Sequence, residues 1–132
     1  MSERHEVQLM LSPAGIVEEF GERWSRSELR DVMPMPGVVP NVPFVELTSI
    51  GVYKKHQGRR YASRALGMLT ALCDEYAMTI KLVARSLESD LLLPGCPATF
   101  LTEQLVAWYQ RHGFVETGAA GYDTREMTRK PR

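Results

Sequence analysis

The stretch His56-Gln57-Gly58-Arg59-Arg60-Tyr61-Ala62 decides the fold of this chain, because it joins a predicted strand to a predicted helix. β-Branched and apolar residues at 44–53 predict the strand, and apolar residues spaced i, i+3, i+4, i+7 over 62–76 predict the helix. The first N–H groups of a helix have no partners inside it, and its dipole favours negative charge there. A glycine at this turn allows close backbone approach, so the stretch predicts a pyrophosphate site.

The charge pattern around this turn supports an anionic ligand. Between Leu47 and Cys73 the sequence contains no Asp or Glu, whereas it contains five basic residues: Lys54, Lys55, Arg59, Arg60 and Arg64. A nucleic-acid backbone is a weaker alternative ligand for these cations, because the net charge of the whole chain is +0 and no aromatic platform lies beside them.

Length and composition favour one globular domain spanning residues 1–132. Hydrophobic residues make up 44% and charged residues 24%, which is ordinary for a soluble protein. Two cysteines, Cys73 and Cys96, are too few for a disulfide framework or a four-cysteine zinc site, and we expect no metal. The sequence shows neither the apolar run of a signal peptide nor a membrane span, so we expect a cytoplasmic protein.

The N-terminal third of the chain predicts a short strand, a helix and a proline-rich connection. The strand spans 7–11, and the helix begins with Ser12 as N-cap and Pro13 at its first position. We expect this helix to reach about Asp31, with one apolar stripe formed by Ile16, Phe20 and Trp24. Four prolines within 33–43 predict a linking loop or a ragged edge strand.

The C-terminal half completes an α/β pattern. A strand at 79–84 follows the helix of 62–76, so the three elements form a βαβ unit. A later helix should start at Thr99 or Thr102 and run to His112, where Gly113 ends it. Its predicted inner face comprises Leu101, Leu105, Trp108 and His112. Strands at 114–117 and 125–129 should close the fold as a hairpin. The predicted fold class is α/β with a mixed sheet.

Two motifs together resemble a known family. The segment Gln57-Gly58-Arg59-Arg60-Tyr61-Ala62 resembles the Gln/Arg-x-x-Gly-x-Gly/Ala turn of the GNAT family of N-acetyltransferases, which holds the pyrophosphate of acetyl-coenzyme A. The segment Tyr109-Gln110-Arg111-His112-Gly113-Phe114 looks like the Tyr-x-x-x-Gly-Phe helix end of the same family. The resemblance covers roughly 45–114, and the elements occur in the family's order.

The resemblance implies a mixed, largely antiparallel sheet with a βαβ core that binds the cofactor, and a shortened N-terminal half. It implies transfer of acetyl from acetyl-CoA to a primary amine by direct attack, with the acceptor on a small molecule or a protein. The cofactor-binding residues implied are Ile50, Gly51, Val52, Gln57, Gly58, Arg59, Arg60, Tyr61, Ala62 and Thr102. Among these, the backbone N–H of Val52 would polarise the thioester carbonyl.

The resemblance also implies two catalytic residues. Tyr109 would donate a proton to the leaving thiolate, since a phenol can donate at neutral pH. Glu46, eleven residues before Gln57, would accept the proton of the amine. Each has a plainer alternative. Glu46 is equally consistent with a solvated strand residue. Tyr109 lies one residue from the predicted apolar stripe, so its hydroxyl is expected either in a cleft or in the core.

The sequence departs from the family pattern at four places. Arg60 stands where the family usually has a second glycine, and Thr102 stands where an Asn often contacts the cofactor. The loop at 87–98 is longer than is usual in the family. The segment at 33–43 leaves little room for the two strands that usually precede the family's cofactor-binding strand. These departures favour an alternative function, a module that binds CoA or a protein partner with weak chemistry or none. A homodimer is the assembly expected by default.

Overall fold

The computed structural model describes residues 11–50, 60–84, 98–121 and 124–132. Its helices are α1 (Pro13–Ser25), α2 (Tyr61–Glu75) and α3 (Ala98–Arg111), with a 3₁₀ helix at Glu28–Asp31. Its strands are β1 (Gly37–Asn41), β2 (Phe44–Ser49), β3 (Ile80–Ala84), β4 (Val115–Gly121) and β5 (Thr124–Arg129). The five strands belong to a mixed sheet, so the predicted α/β class is confirmed.

The described residues fall into two compact units. Counting the described residues alone, the first unit comprises 11–50, 60–80 and Lys130–Arg132, and the second comprises 81–84, 98–121 and 124–129. The predicted strand at 7–11 falls almost entirely outside the described residues, as do Cys96 and most of the loop at 87–98. The single domain over 1–132 stays a prediction. Within the described ranges, no helix has the length and apolar character to cross a bilayer.

Helix α1 starts as the sequence predicts. The hydroxyl of Ser12 accepts a hydrogen bond from the Gly15 N–H at 3.0 Å, and Pro13 occupies the first turn. This cap satisfies one of the N–H groups that the helix leaves without a partner. The predicted stripe is buried, and the rings of Phe20 and Trp24 lie 6.0 Å apart. Ile16 and Phe20 are fully enclosed.

The prediction that this helix reaches Asp31 is wrong. Helix α1 ends at Ser25, and a separate 3₁₀ helix follows. The Ser25 hydroxyl donates to the Glu22 carbonyl at 2.8 Å, and the Ser27 hydroxyl donates to the Trp24 carbonyl at 2.8 Å. Serine side chains that bond to nearby carbonyls compete with the helical ladder, which explains the break.

The proline-rich segment forms an edge strand among the described residues, one of the two predicted outcomes. Strand β1 pairs with β2 antiparallel, and Pro40 lies opposite Val45. The Val45 N–H donates to the Thr79 carbonyl at 3.1 Å, on the side of β2 away from β1. The pair Pro40–Val45 is therefore not a hydrogen-bonded pair, and Pro40 turns its backbone nitrogen away from β2. The missing N–H of Pro40 thus costs no ladder bond.

Helix α2 confirms the amphipathic pattern, beginning one residue earlier than predicted. Its apolar side chains are buried: Ala65, Leu66, Leu69, Leu72 and Cys73. Its C-terminal end has paired cap bonds, since the Met78 N–H donates to the Cys73 carbonyl at 2.7 Å and the Ala77 N–H donates to the Asp74 carbonyl at 3.3 Å. This is a Schellman cap, and Ala77 occupies its left-handed position with φ of 55°.

The second unit contains most of β3, helix α3 and the hairpin of β4 and β5, with strand order β3-β5-β4. The hairpin is confirmed: β4 and β5 pair antiparallel, with Val115 opposite Thr128. The predicted inner face of α3 is wrong by one residue. Among the α3 side chains that the structure describes, Val106 and Tyr109 are buried, whereas Leu105 and Trp108 are half-buried.

Candidate functional site

The start of helix α2 has an unusual backbone at Arg60. This residue is the N-cap, with φ of 62° and ψ of 19°, which is the left-handed region. Its side chain makes no cap hydrogen bond, and its carbonyl accepts the first helical bond from the Arg64 N–H at 3.1 Å. The turn thus adopts at Arg60 a conformation that favours glycine, the residue that the family pattern has there.

The charged side chains around the start of α2 are mostly basic. No acidic residue lies in the first turn of α2. The Arg64 guanidinium lies 6.0 Å from the centre of the Tyr61 ring. Its Nη2 atom is 3.9 Å from the Glu28 Oε2 atom, a contact between elements that sequence spacing does not reveal. Because the Glu28 side chain is 93% exposed, water screens this pair and leaves the site basic.

Half of the implied cofactor residues lie within the described ranges. Ile50 follows directly after the last residue of β2, and Tyr61 and Ala62 form the first positions of α2. Thr102 lies on α3, as predicted, but its side chain is outside the description. The remaining implied cofactor-binding residues lie outside the described residues: Gly51, Val52, Gln57, Gly58 and Arg59.

Glu46 lies in the middle of β2, on the face opposite Val45 and Leu47. Those two residues are buried, whereas Glu46 is half-buried. The side-chain amide of Asn41 donates to the Glu46 Oε1 atom at 3.2 Å. Glu46 is therefore neither sealed in the core nor fully solvated.

Tyr109 is buried in the second unit, with 7% of its surface exposed. Its ring lies 4.9 Å from the Trp108 ring and 5.6 Å from the Phe114 ring, the latter edge to face. Burial raises the pKa of Tyr109 to about 12, because the phenolate would lose its hydration. The phenol therefore keeps its proton at neutral pH, as a proton donor must.

The segment from Tyr109 to Phe114 forms a complete Schellman cap. The Phe114 N–H donates to the Tyr109 carbonyl at 3.2 Å, and the Gly113 N–H donates to the Gln110 carbonyl at 3.1 Å. Gly113 has φ of 94°, and the Phe114 ring packs on the Tyr109 ring. These are the two bonds and the apolar contact that define the motif. The Tyr-x-x-x-Gly-Phe pattern thus has a full structural explanation that does not need the hydroxyl.

The end of this helix also contains a buried cation that the sequence does not single out. Arg129, at the end of β5, is 4% exposed, and its Nε atom donates to the His112 carbonyl at 2.8 Å. The pKa of His112 is lowered by burial and by the charges of Arg111 and Arg129. An alternation of apolar residues in β5 would have indicated which face is inward, but not that a charge occupies it.

The predicted site residues lie in two separately described units. Glu46, Arg60 and Ala62 belong to the first unit, and Thr102 and Tyr109 belong to the second. Across the described ranges, no group of three or more His, Cys, Asp or Glu side chains is arranged to hold a metal ion.

No protein-family model matches the chain, and no curated protein matches it. The structure is similar to the crystal structure of Ard1 from Thermoplasma volcanium, with 15% sequence identity and a TM-score of 0.49. The similarity covers 72% of this chain and 62% of that chain, so less than two thirds of Ard1 is matched. At this level no residue role passes from that protein to this one.

Proposed function

We propose that this chain is an N-acetyltransferase that moves an acetyl group from acetyl-CoA to a primary amine. The observation that carries the proposal is Arg60, which takes a left-handed conformation at the start of the 15-residue helix α2. It does so directly after Gln57-Gly58-Arg59, where the sequence resembles the pyrophosphate turn of the GNAT family. A residue with a β-carbon holds such a backbone only where its surroundings demand it.

The helix start is suited to a diphosphate. The positive end of the α2 dipole and the cations Arg60 and Arg64 attract negative charge, and no acid in the first turn opposes it. Ala62, at the second position, offers a small side chain that leaves room for a phosphate. We assign the pyrophosphate to the backbone around 58–62, with Gln57 and Arg59 beside it.

Transfer requires a bond from the amine nitrogen to the thioester carbon and cleavage of the carbon–sulfur bond. The amine loses a proton and the leaving thiolate gains one. We assign the first proton to the Glu46 carboxylate and the second to the Tyr109 hydroxyl. The Val52 N–H is assigned to the developing oxyanion. Holding both substrates together would supply about 7–11 kcal/mol of the barrier reduction by proximity.

The state of the two catalytic candidates suits these roles. Glu46 is half-buried and has one described hydrogen-bond donor, Asn41, so a lone pair remains for a proton. Tyr109 is buried and keeps its proton at neutral pH, although burial raises its pKa to about 12 and so makes it a weaker acid than a solvated phenol. Ile50, the residue after β2, would line the pantetheine arm.

Isothermal calorimetry with acetyl-CoA and with CoA tests the proposal directly. We expect both ligands to bind, and we expect desulfo-CoA to bind as well because the diphosphate and not the sulfur is gripped. A basic-to-neutral change at Arg59 should weaken all three ligands alike. Absence of binding at millimolar ligand overturns the proposal.

A second candidate function is a CoA-binding or protein-interaction module without turnover. The observation that favours it is the Schellman cap, which explains Tyr109, Gly113 and Phe114 without any chemistry. A thiol-release assay with acetyl-CoA and a panel of small amines, peptide N-termini and lysine peptides separates the two. Release of CoA above the rate of hydrolysis supports the enzyme, and binding without release supports the module.

A further inference from the structure

We infer that Arg129 is a positioning residue for Tyr109, acting through the end of helix α3; this inference rests on the proposed function. The juxtaposition that suggests it is a buried guanidinium bonded to the last turn of the helix that carries the proposed proton donor. Among the described contacts, no hydrogen bond joins Arg129 to Tyr109, so Arg129 would act on the position of Tyr109 indirectly.

The first step concerns the cost of burying Arg129. A guanidinium with 4% exposure loses its hydration, and this is tolerated only where hydrogen bonds replace the water. The Nε atom donates to the His112 carbonyl at 2.8 Å, a usual length for a hydrogen bond from a charged donor. The fixed planar fork of the guanidinium gives this bond a direction that an apolar side chain would not supply.

The second step concerns what the bond holds. In the cap of α3, the carbonyls of Tyr109 and Gln110 already accept the N–H groups of Phe114 and Gly113. The His112 carbonyl lies beyond these bonds, at the negative end of the helix dipole, where a cation is favoured. Arg129 therefore ties the terminal turn of α3 to strand β5 at a point that the cap itself leaves unbound.

The third step connects this tie to Tyr109. The Tyr109 carbonyl and ring are both part of the cap, through Phe114, so a shift of the terminal turn moves the phenol with it. Met127, two residues before Arg129 on the same face of β5, is fully buried and anchors that strand in the core. Arg129 thus sets the position of the Tyr109 hydroxyl relative to β5.

The test is a double-mutant cycle on acetyl transfer between Arg129→Met and Tyr109→Phe. We expect Arg129→Met alone to lower kcat by up to about 100-fold, the effect of a misplacement on the order of 1 Å, with acetyl-CoA affinity nearly unchanged. In the Tyr109→Phe background, Arg129→Met should lower kcat no further, because there is no hydroxyl left to misplace. Losses that multiply in the double variant overturn the inference.

Arg125→Met is the matched control, since Arg125 lies in the same strand and pairs with Glu116 at 3.6 Å with its side chain 36% exposed. It should leave kcat unchanged in both backgrounds. Arg129→Lys serves where Arg129→Met does not fold: it keeps the charge but not the planar fork, and the same non-multiplying cycle is expected. Wild-type protein without thiol release refutes the proposed function, whereas multiplying losses in an active protein refute only the role of Arg129.

Discussion

The Phe114 N–H donates to the Tyr109 carbonyl at 3.2 Å, and the two rings meet edge to face with centroids 5.6 Å apart. Both contacts use the backbone and the ring of Tyr109, and neither uses its hydroxyl. The structural role and the proposed chemical role of this residue are therefore separated by one oxygen atom, which a conservative substitution can remove.

Tyr109→Phe should lower kcat of acetyl transfer by about 100-fold or more, as loss of a general acid does. Affinity for acetyl-CoA and the midpoint of urea unfolding should change little, because the cap bonds and ring contact survive. Steady-state kinetics with calorimetry measures both. Loss of cofactor affinity instead would mean that the hydroxyl contributes to the binding surface.

Alkaline unfolding should depend on Tyr109 with a defined sign. Burial raises the pKa of Tyr109 from 10.0 to about 12, so the folded chain keeps a proton that the unfolded chain releases. The free energy of unfolding should therefore fall by about 1.4 kcal/mol per pH unit between about pH 10 and 12, and not below. Urea titrations of wild type and Tyr109→Phe at several pH values isolate the contribution of Tyr109 to the pH dependence of the free energy of unfolding. A difference between the two that stays constant with pH contradicts the assignment.

Arg60→Gly and Arg60→Ala should separate backbone strain from charge. Because Arg60 has φ of 62°, the glycine variant should gain about 1 kcal/mol in the free energy of unfolding, whereas the alanine variant should gain almost nothing. Both remove the guanidinium, so both should weaken acetyl-CoA by a similar factor, up to about five-fold for an exposed cation. Unfolding and calorimetry on the pair give the comparison. Equal stability of the two variants would contradict the strained backbone.

Ala77→Gly should stabilise the protein by about 1 kcal/mol, because Ala77 has φ of 55° at the left-handed position of the α2 cap. The matched control is Ala71→Gly, an exposed position inside the same helix, which should lose about 1 kcal/mol. Thermal or urea unfolding measures the change in stability of both variants. The two substitutions are chemically identical, so opposite signs would assign the effect to the backbone.

Glu46→Gln should lower kcat by about 100-fold at neutral pH without abolishing transfer, because proximity remains. The deficit should narrow as pH approaches the pKa of the acceptor amine, since the amine then arrives already neutral. Gln keeps an oxygen that can accept from the Asn41 amide, so folding should be unaffected. A pH–rate profile of both proteins checks this. An unchanged rate at neutral pH would leave Glu46 as a surface strand residue.

The sequence predicts the α-helices and the later strands because their apolar spacing is strong. The end of α1 is missed because Ser25 and Ser27 bond to carbonyls of the preceding turn, an outcome that periodicity does not encode. The inner face of α3 is missed because two adjacent apolar stripes exist, one through Leu105 and Trp108 and one through Val106 and Tyr109. Periodicity identifies such a helix but does not decide which stripe packs inward.

The candidate site is predictable in its residues and less so in its backbone. The start of helix α2 follows, to within one residue, from the turn and the apolar spacing after it. The sequence does not predict the positive φ of Arg60 and of Ala77, because both residues have a β-carbon and such residues generally prefer negative φ. The bond from Arg129 to His112 joins residues 17 positions apart, and nothing local in either segment indicates it.

Pro40 turns its backbone nitrogen outward from the β1 edge, which among the described residues has a neighbour only at β2. A strand from another molecule that approached there would present a carbonyl to a nitrogen without hydrogen. Pro40 therefore disfavours the pairing of further chains along the β1 edge. The proline-rich segment, which sequence alone makes a poor strand, thus protects the sheet against edge-to-edge aggregation.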